Sequence, residues 1–588
     1  MRWSFHPGPS RTVALAATLT LAFAGATTAV APPALATTTV SVSVDAAQQV
    51  AVLPTTGVGT NVAVFDATMN ASDTSGLVST AGIGALRYPG GSHSDVYHWQ
   101  TGTASGGAYV APNTGFDAFM GTARAAGAQP IITVNYGSGT AQEAAAWVQY
   151  ANVTKGYGIK YWEVGNEVYG NGEYSNGSGW EYDTHSSHSA TTYADNLVQY
   201  VSAMKAVDPS IKVGAVLTTP GGWPDGITGP GDSMDWNHTV LSIAGTKIDF
   251  VVVHTYPGST SEADLLTKPQ ALIPNIAGTV RSLINQYAGS NAANVGLAVT
   301  EANATSYRDT APNGLFAPDT YLTWMENGAF TVDWWALRNG TDCSGNSTVD
   351  GATDYADYGL VASSPCEGSL DRPFPAYYGT QMISRLGAPG DTLVKAAAST
   401  SLLSAHAVRR ADGDVDVMLI NKDPHNAATV SLSYAGFTPS SATPTVYSYL
   451  ENATSIGSTT TGSATAQTVP AYGITVVQVH PTNAPCRVVY NKNEWPGGMV
   501  ATVTVTNNSL GQVNGWDLGF NFAGDNKVTN AWGTTISQSG PGVNAVNLPS
   551  NAALPQGGSV TFVFQTTWSS SDADPPTFWF NGATCATG

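Results

Sequence analysis

Short apolar runs alternate with longer amphipathic stretches between residues 57 and 338. The apolar runs have the length and β-branched composition of buried strands. Stretches between them, such as 140–157 and 191–207, have helical periodicity. Eight such runs, most followed by a plausible crossover helix, predict a (β/α)8 barrel. The predicted strands are residues 59–65, 83–88, 130–135, 160–167, 211–216, 248–256, 295–301 and 329–337.

The pattern changes after the barrel. From about residue 392 to 480, short alternating strands are separated by Gly, Asn and Ser turns, which predicts a β-sandwich packed on the barrel. Residues 38–44 show the same alternation, and we expect them to join this sandwich. The predicted domains are an N-terminal strand of the sandwich (37–54), the TIM barrel (55–390), the β-sandwich (391–481) and a third, all-β module (482–588).

The first 36 residues carry the pattern of a secretory signal peptide. Arg2 and Arg11 precede an apolar segment, residues 13–26, and an Ala-Leu-Ala cleavage site ends at residue 36. A membrane anchor is the alternative, but the apolar segment is shorter than the ~20 residues that a span requires. We therefore expect a secreted, extracellular protein.

Composition and charge exclude some partners. The chain has 22 Lys and Arg against 41 Asp and Glu, a net charge of −19. Nucleic acids and anionic membranes bind clustered basic side chains, so neither is an expected partner. Neutral ligands remain, and 15 Trp and 25 Tyr supply flat surfaces for sugars. Nothing in the sequence points to a cofactor.

The four cysteines suit an oxidising compartment. They allow three pairings, of which the predicted domains favour Cys343–Cys366 and Cys486–Cys585. Because no Cys-x-x-Cys pair is present, a zinc or redox site is not expected. Histidines that invite a metal interpretation lack the spacing of a ligand set, so we expect no metal: His93, His98, His185 and His188.

Two glutamates stand at the ends of predicted barrel strands. Glu167 ends the fourth strand in the segment YWEVGNE, and Glu301 ends the seventh. The carboxyl ends of barrel strands share one rim. Cleavage of a glycosidic bond needs such a pair, one acid to protonate the leaving oxygen and one carboxylate to attack the anomeric carbon. Salt-bridged residues at the barrel end are the alternative, and the two glutamates alone leave both interpretations open.

The surrounding residues resemble clan A, the 4/7 superfamily of (β/α)8 glycoside hydrolases, which carries Asn-Glu after strand four and Glu after strand seven. The resemblance implies a retaining mechanism with Glu167 as acid/base, Glu301 as nucleophile and Asn166 bonded to the sugar 2-hydroxyl. His254 and Tyr256, in VHTYP, match the His-x-Tyr of strand six, where the tyrosine orients the nucleophile.

Two electrostatic expectations accompany the resemblance. Arg87, in LRYPGG, would place positive charge near Glu301 and keep the pKa of that carboxyl low. The acid/base instead needs a raised pKa, which the neighbouring ionised carboxylate would supply to Glu167. Trp334 and Trp335 lie near the end of strand eight. We expect one of them to pack in the barrel and Trp335 to form the floor of the sugar subsite.

The resemblance to individual families is uneven. LRYPGG followed by YHW at residues 97–99, and VPAYGITV at residues 469–476, resemble family 51 α-L-arabinofuranosidases. The nucleophile segment TEAN at residues 300–303 departs from that family, and residues 193–216 have counterparts in families 39 and 79.

Residues 486–585 resemble family 2 carbohydrate-binding modules, which have an immunoglobulin-like all-β fold. The motifs are NEW (493–495), VTVTNN (503–508), GWDL (515–518), AW (531–532), QSG (538–540) and FNG (580–582). Members that bind cellulose present three coplanar tryptophans, and two of these match Trp495 and Trp532. Ser550 stands where the third is expected. Binding to cellulose or xylan is implied, with weaker attachment to crystalline cellulose.

The sequence therefore predicts a glycosidase of plant cell-wall polysaccharide (cellulose, xylan or arabinoxylan), with α-L-arabinofuranosidase as the leading activity. An endo-acting β-glycanase (xylanase, glucanase or mannanase) is the alternative within the class. A non-catalytic polysaccharide-binding protein is the alternative outside it.

Overall fold

The computed structural model describes residues 38–174, 177–411, 413–482, 484–508, 512–555 and 557–587. The predicted signal peptide, residues 1–36, lies outside these residues. Among the helices described, none has the length and apolar character needed to cross a membrane.

Eight parallel strands close into a barrel in which sequence neighbours are also spatial neighbours, and the eighth strand pairs with the first. One α-helix follows each strand, so the predicted (β/α)8 barrel is confirmed. The strands are Val58–Asn61, Ala85–Tyr88, Gln129–Val134, Tyr161–Val164, Lys212–Val216, Phe250–Thr255, Gly296–Ala302 and Ala329–Trp334. The helices are α1 (Thr74–Thr80), α2 (Phe116–Ala126), α3 (Ala141–Val148), α4 (Ala190–Val207), α5 (Trp236–Ala244), α6 (Glu262–Tyr287), α7 (Ala311–Glu326) and α8 (Pro375–Leu386).

Several elements are shorter than the apolar pattern predicts. The fourth strand stops three residues before Glu167, because Gly165 (φ 78°) and Glu167 (φ 38°) turn the chain out of the extended conformation. Glycine adopts positive φ freely, whereas a glutamate there is strained. The predicted helix 140–157 is divided into α3 and a π-helical segment, Gln149–Thr154. Glu167 is therefore presented by a turn at the barrel mouth and not by a strand.

A nine-stranded sheet covers one side of the barrel. The N-terminal strand Thr38–Val52 lies inside it, antiparallel to Thr392–Ala398 and parallel to Ala428–Ala435. Alternate residues serve two cores: Met418 packs into the barrel core and Val417 into a separate core of the sandwich. The other strands are Leu403–Arg409, Val415–Asn421, Thr445–Tyr449, Gly457–Thr460, Ala466–Val469 and Ile474–Val479.

A buried charged cluster joins α7 to this sheet. Asp319 lies 3.0 Å from Nε2 of His406 and 2.7 Å from Nζ of Lys422, while Nδ1 of His406 lies 2.7 Å from Glu326. Burial lowers the pKa of His406, but the charges of Glu326 and Asp319 outweigh it and raise the pKa to about 10. The barrel and the sandwich are thus held together by ion pairs as well as by apolar packing.

The C-terminal module contains two five-stranded sheets around its own apolar core, and the predicted multidomain architecture is confirmed. Cys486 is bonded to Cys585 and Cys343 to Cys366. One sheet contains Lys527–Trp532, Ser559–Thr567, Gly498–Asn507, Cys486–Trp495 and Ala586–Thr587. The other contains Thr535–Ser539, Gly542–Val546, Asp517–Asn521, Phe578–Phe580 and Ala583–Thr584. Three short two-stranded sheets complete the described strands: Tyr97–His98 with Thr103–Ala104, Ser347–Val349 with Ala352–Asp354, and Val513–Asn514 with Ala553–Leu554.

Candidate active site

Arg87 ties together the first, fourth and seventh strands at the barrel mouth. This fully buried side chain donates from Nε to Glu163 (2.8 Å) and from Nη2 to Asn166 (2.8 Å). Its Nη1 donates to Glu301 (2.9 Å) and to Asn61 (3.0 Å). Burial lowers the pKa of Arg87, but the charges of Glu163 and Glu301 raise it above its ordinary value. One guanidinium therefore orients both Asn166 and Glu301.

Glu301 is recessed, and both of its carboxylate oxygens accept hydrogen bonds. Its Oε1 accepts the bond from Arg87, and its Oε2 accepts a bond of 2.7 Å from the hydroxyl of Tyr256. Only 7% of the side chain is exposed. A carboxylate compensated by a cation and aimed by two donors has the environment of a nucleophile.

Glu167 lies across the barrel mouth from Glu301, and 21% of its side chain is exposed. Its Oε2 accepts a bond of 2.7 Å from the indole of Trp180, and its Oε1 lies 2.9 Å from Nδ1 of His254. One oxygen each of Glu167 and Glu301 lie within 4.8 Å of one another. Retaining glycosidases hold their carboxyl groups about 5–5.5 Å apart and inverting ones about 6.5–9.5 Å, and the close approach of these two oxygens agrees with the shorter spacing.

The protonation of His254 follows from its neighbours. The Thr300 hydroxyl donates to Glu163 (3.1 Å), so it accepts from Nε2 of His254 (3.0 Å). Nδ1 faces the carboxylate of Glu167, and both ring nitrogens therefore face acceptors, as in an imidazolium. Burial lowers the pKa of His254, but Glu301 and Glu167 raise it above its ordinary value.

The expectation of a raised pKa for Glu167 is wrong for this structure. Burial raises that pKa, but the hydrogen bond and charge of His254 and the bond from Trp180 lower it below its ordinary value. The pair formed by Glu167 and His254 nevertheless holds a proton. Nδ1 of His254 and Oε1 of Glu167 lie 2.9 Å apart, and the raised pKa of His254 together with the lowered pKa of Glu167 favours the imidazole as the group that carries it.

Asn166 donates hydrogen bonds to two acidic residues that the sequence analysis did not identify. Its amide Nδ2 donates to Glu181 (2.9 Å), and its backbone N–H donates to Asp95 (2.9 Å). Burial raises the pKa of Asp95 to about 7, against the backbone bonds that it accepts. Burial, together with the charges of Asp95 and Glu167, raises the pKa of Glu181 well above its ordinary value. Oε1 of Glu181 accepts hydrogen bonds both from Asn166 (2.9 Å) and from Ser92 (2.7 Å).

Other contributors were missed for different reasons. Glu163 could have been identified from the sequence. It is a charged residue buried in the apolar fourth strand, and a buried charge requires a partner. Asp95 ends a short 3₁₀ helix, Gly91–Asp95, and Glu181 lies in a loop, so no periodicity marks either residue.

Trp335 lies beside the network without bonding to its carboxylates. Its ring packs on Gly91, where an added Cβ would lie 2.6 Å from the indole, and its backbone N–H donates to Ala302 (3.1 Å). Trp334 is fully buried and stacks on Tyr321. The structure thus unites six predicted residues in one network, with Trp335 at its edge: Arg87, Asn166, Glu167, His254, Tyr256 and Glu301.

The cluster is poorly suited to a metal ion. Among the described residues, Glu167, His254 and Glu301 form the one group with ligand atoms close enough to hold a cation. Arg87 already places a positive charge on Glu301, and Tyr256 and His254 occupy further ligand atoms with hydrogen bonds. A second cation there would oppose the guanidinium.

The module presents Trp495 and Trp532 on one face. Trp532 pairs with Val563, and Trp495 pairs with Gly498, which pairs with Thr567. Directly opposed residues share a face, as do residues four apart on one strand, so both indoles leave the same side of the sheet. Both are exposed.

Ser550 is also exposed, in a loop at the Trp532 end of this face. The neighbouring Asn551 donates to the backbone of Gly533 (2.8 Å), next to Trp532. Trp516 is buried in the module core and accordingly does not belong to the exposed face.

Comparisons with known proteins match two different parts of this architecture. Residues 486–585 match the family model described as "Cellulose binding domain". Exoglucanase A of Cellulomonas fimi is 40% identical over 107 residues, 18% of this chain and 12% of the relative. Probable α-L-arabinofuranosidase C of Aspergillus clavatus is 29% identical over 222 residues, 32% of this chain and 40% of the relative. The chain thus spans less than half the length of either relative.

A solved structure resembles the larger, N-terminal part of the fold. A family 51 α-L-arabinofuranosidase from Bifidobacterium longum superposes with a TM-score of 0.60 at 17% identity, covering 76% of this chain and 100% of the other. At this identity the likeness concerns the fold.

Proposed function

We propose that this chain is a secreted retaining glycoside hydrolase of plant cell-wall polysaccharide, with α-L-arabinofuranosidase activity. The observation that carries the proposal is the pair Glu167 and Glu301, whose nearest oxygens lie within 4.8 Å on the carboxyl rim of the barrel. Arg87 and Tyr256 aim Glu301, while His254 holds a proton beside Glu167.

The reaction has two steps. Glu301 attacks the anomeric carbon while the bond to the leaving oxygen breaks, and that oxygen takes a proton from Glu167. Water then attacks the same carbon and gives its proton to Glu167, and the glycosyl–Glu301 ester bond breaks. Because the free pair carries its proton on the imidazole, His254 gives that proton to Glu167 before the first step, and Glu167 returns it to His254 after the second.

The choice of sugar rests on the comparisons. A probable α-L-arabinofuranosidase is among the curated relatives, and the structure of a family 51 α-L-arabinofuranosidase superposes on 76% of this chain. The recessed Glu301, beside the half-open Glu167, agrees with a substrate that enters by its end.

The module is proposed to hold the enzyme on cellulose, xylan or arabinoxylan through Trp495 and Trp532. The match to a cellulose-binding family and the common face of the two indoles support this role. Attachment raises the local concentration of substrate around the barrel.

Incubation with arabinoxylan, debranched arabinan, xylan, mannan and cellulose tests the proposal. Free arabinose as the sole soluble product is the expected result. Oligosaccharides released from an unbranched chain would replace the arabinofuranosidase by an endo-glycanase. No product from any polymer, with binding retained, would favour a non-catalytic polysaccharide-binding protein.

A further inference from the structure

A groove of about 690 Å³ opens beside Glu167. Its walls come from the segment after the fourth strand, the loop at residues 219–225, the end of the sixth strand and one face of α6. The lining includes Glu167, His254 and Tyr256, so the groove is continuous with the candidate active site. A volume of this size accommodates more than one sugar ring, since drug-sized ligands occupy about 300–1,000 Å³.

Two exposed tryptophans form the aromatic part of the wall. Trp180 and Trp223 are 38% and 61% exposed, and their ring centroids lie 5.2 Å apart at an interplanar angle of 39°. Both are held in position. The Trp180 indole bonds to Glu167 and packs on Gly170, while Asp225 fixes the Trp223 loop by accepting from the backbone of Gly221 (2.9 Å).

The position of the groove identifies the part of the substrate that it would bind. A general acid must reach the leaving oxygen, so the leaving group lies on the open side of the acid. Glu167 lines the groove, and Trp180 touches both the acid and the groove. The recessed Glu301 does not line it.

The charge of the lining identifies the kind of sugar. None of its lining residues is Lys or Arg, whereas Glu167 and Asp225 are acidic. Uronic acids would meet like charge, because the cationic side chain of the lining, His254, is already bonded to Glu167 and Thr300. Leu272 and Ile276 of α6 add apolar surface for the C–H faces of neutral sugars.

We propose that this groove binds the leaving-group side of a neutral sugar chain, with Trp180 and Trp223 as stacking platforms. The inference rests on the proposed function, because Glu167 must be the acid for the groove to lie on the leaving-group side. It predicts that the enzyme prefers a glycone attached to an oligosaccharide over the same glycone attached to a small alcohol.

Trp223→Ala tests the inference, because this indole contacts no catalytic carboxylate. The assay compares an arabinose-substituted xylo-oligosaccharide with 4-nitrophenyl α-L-arabinofuranoside. In the variant the ratio of kcat/KM for the two substrates should fall about tenfold, equivalent to ~1.4 kcal/mol. Leu402→Ala, which removes an exposed apolar side chain from the sandwich, should leave the ratio at its wild-type value. An unchanged ratio in Trp223→Ala would overturn the inference.

A binding measurement separates this inference from the proposed function. Xylohexaose is titrated calorimetrically into full-length protein carrying Glu301→Gln, Trp495→Ala and Trp532→Ala, which removes turnover and binding by the module. Adding Trp223→Ala should weaken binding about tenfold, and an oligogalacturonate of equal length should bind at least tenfold more weakly than xylohexaose. Affinity independent of Trp223, or equal affinity for the oligogalacturonate, would overturn the inference. Trp223-dependent binding without wild-type turnover would overturn the proposed function alone.

Discussion

Nδ1 of His254 lies 2.9 Å from Oε1 of Glu167 and 3.6 Å from Oε2 of Glu301. One imidazole therefore bridges the two carboxylates of the candidate site. It lowers the pKa of Glu167, and both carboxylates in turn raise the pKa of the imidazole. Glu167 and His254 consequently titrate as a pair.

His254→Asn should move the alkaline limb of the kcat/KM profile to lower pH. In the wild type the pair keeps its proton until pH rises through the pKa of His254, which lies above the ordinary 6.5. In the variant Glu167 must hold the proton alone, and a carboxyl group releases it at lower pH. The limb is measured with an arabinose-substituted xylo-oligosaccharide, whose leaving group needs a proton, and an unmoved limb would show that His254 does not set it.

Glu301→Ala should reduce turnover on the order of 10⁴-fold or more, as expected when a nucleophile is removed. Binding to insoluble cellulose should persist, because the module has its own core and its own aromatic face. Trp532→Ala should do the reverse and weaken only the binding. Sedimentation with cellulose and hydrolysis of a soluble substrate measure the two properties, and wild-type turnover in Glu301→Ala would rule out its role as nucleophile.

Glu167→Ala should slow the cleavage of some substrates more than that of others. A sugar leaving group needs a proton, so we expect a loss of about 10²–10⁴-fold with oligosaccharides. A 4-nitrophenolate leaves without protonation, and glycosyl transfer to the enzyme should be much less affected. Single-turnover release of nitrophenolate measures this step. Equal losses for both leaving groups would contradict the assignment as acid.

If Asn166 bonds the sugar 2-hydroxyl, as the sequence resemblance implies, Glu181→Ala should lower kcat/KM by about tenfold, because Nδ2 of Asn166 loses the acceptor that orients it. Glu181→Gln keeps a neutral acceptor at the same position and should recover most of the loss. The 2-deoxy analogue of the substrate supplies the control, since the effect of Glu181→Ala should disappear with it. An equal effect on both substrates would indicate a merely structural role for Glu181.

The cluster of His406 and Asp319 should make stability depend on pH. The pKa of His406 is raised to about 10, so its contribution is complete below the unfolded value of 6.5 and is lost as pH rises through about 10. The pKa of Asp319 is lowered, so its contribution is present above 3.8 and is lost as pH falls through the folded value.

Urea denaturation of His406→Gln between pH 6 and 10 measures this dependence. The variant should lose about 3–5 kcal/mol near pH 6, because Asp319 and Glu326 lose a buried cation, and less near pH 10. Equal destabilisation at both ends of the range would show that His406 acts through packing alone. Arg410→Gln, at a partly exposed ion pair of the sandwich, provides the comparison.

The number and order of the barrel strands could be read from the sequence, because each apolar run reports its own burial. The same holds for the N-terminal strand, in which the buried residues Val40, Val42 and Val44 alternate with exposed ones. The strand ends were less accurate, since the positive φ of Gly165 and Glu167 depends on the turn that they enter.

The pairing of Glu167 with Glu301 followed from topology, because parallel strands bring their carboxyl ends to one rim. The pKa shift of Glu167 could not be predicted from the topology. The donors that lower the pKa of Glu167 come from the sixth strand and from a loop, and neither His254 nor Trp180 has a periodic relation to it.

The sequence by itself determined the domain architecture, the catalytic candidates and the sugar-binding module, since these depend on local periodicity and on short motifs. Only the tertiary structure decided where the proton lies, that Glu181 supports Asn166, and that Trp180 and Trp223 meet beside the acid. Hydrogen bonds and stacking act over a few ångströms in space, between residues that loops bring together and that no pattern along the chain connects.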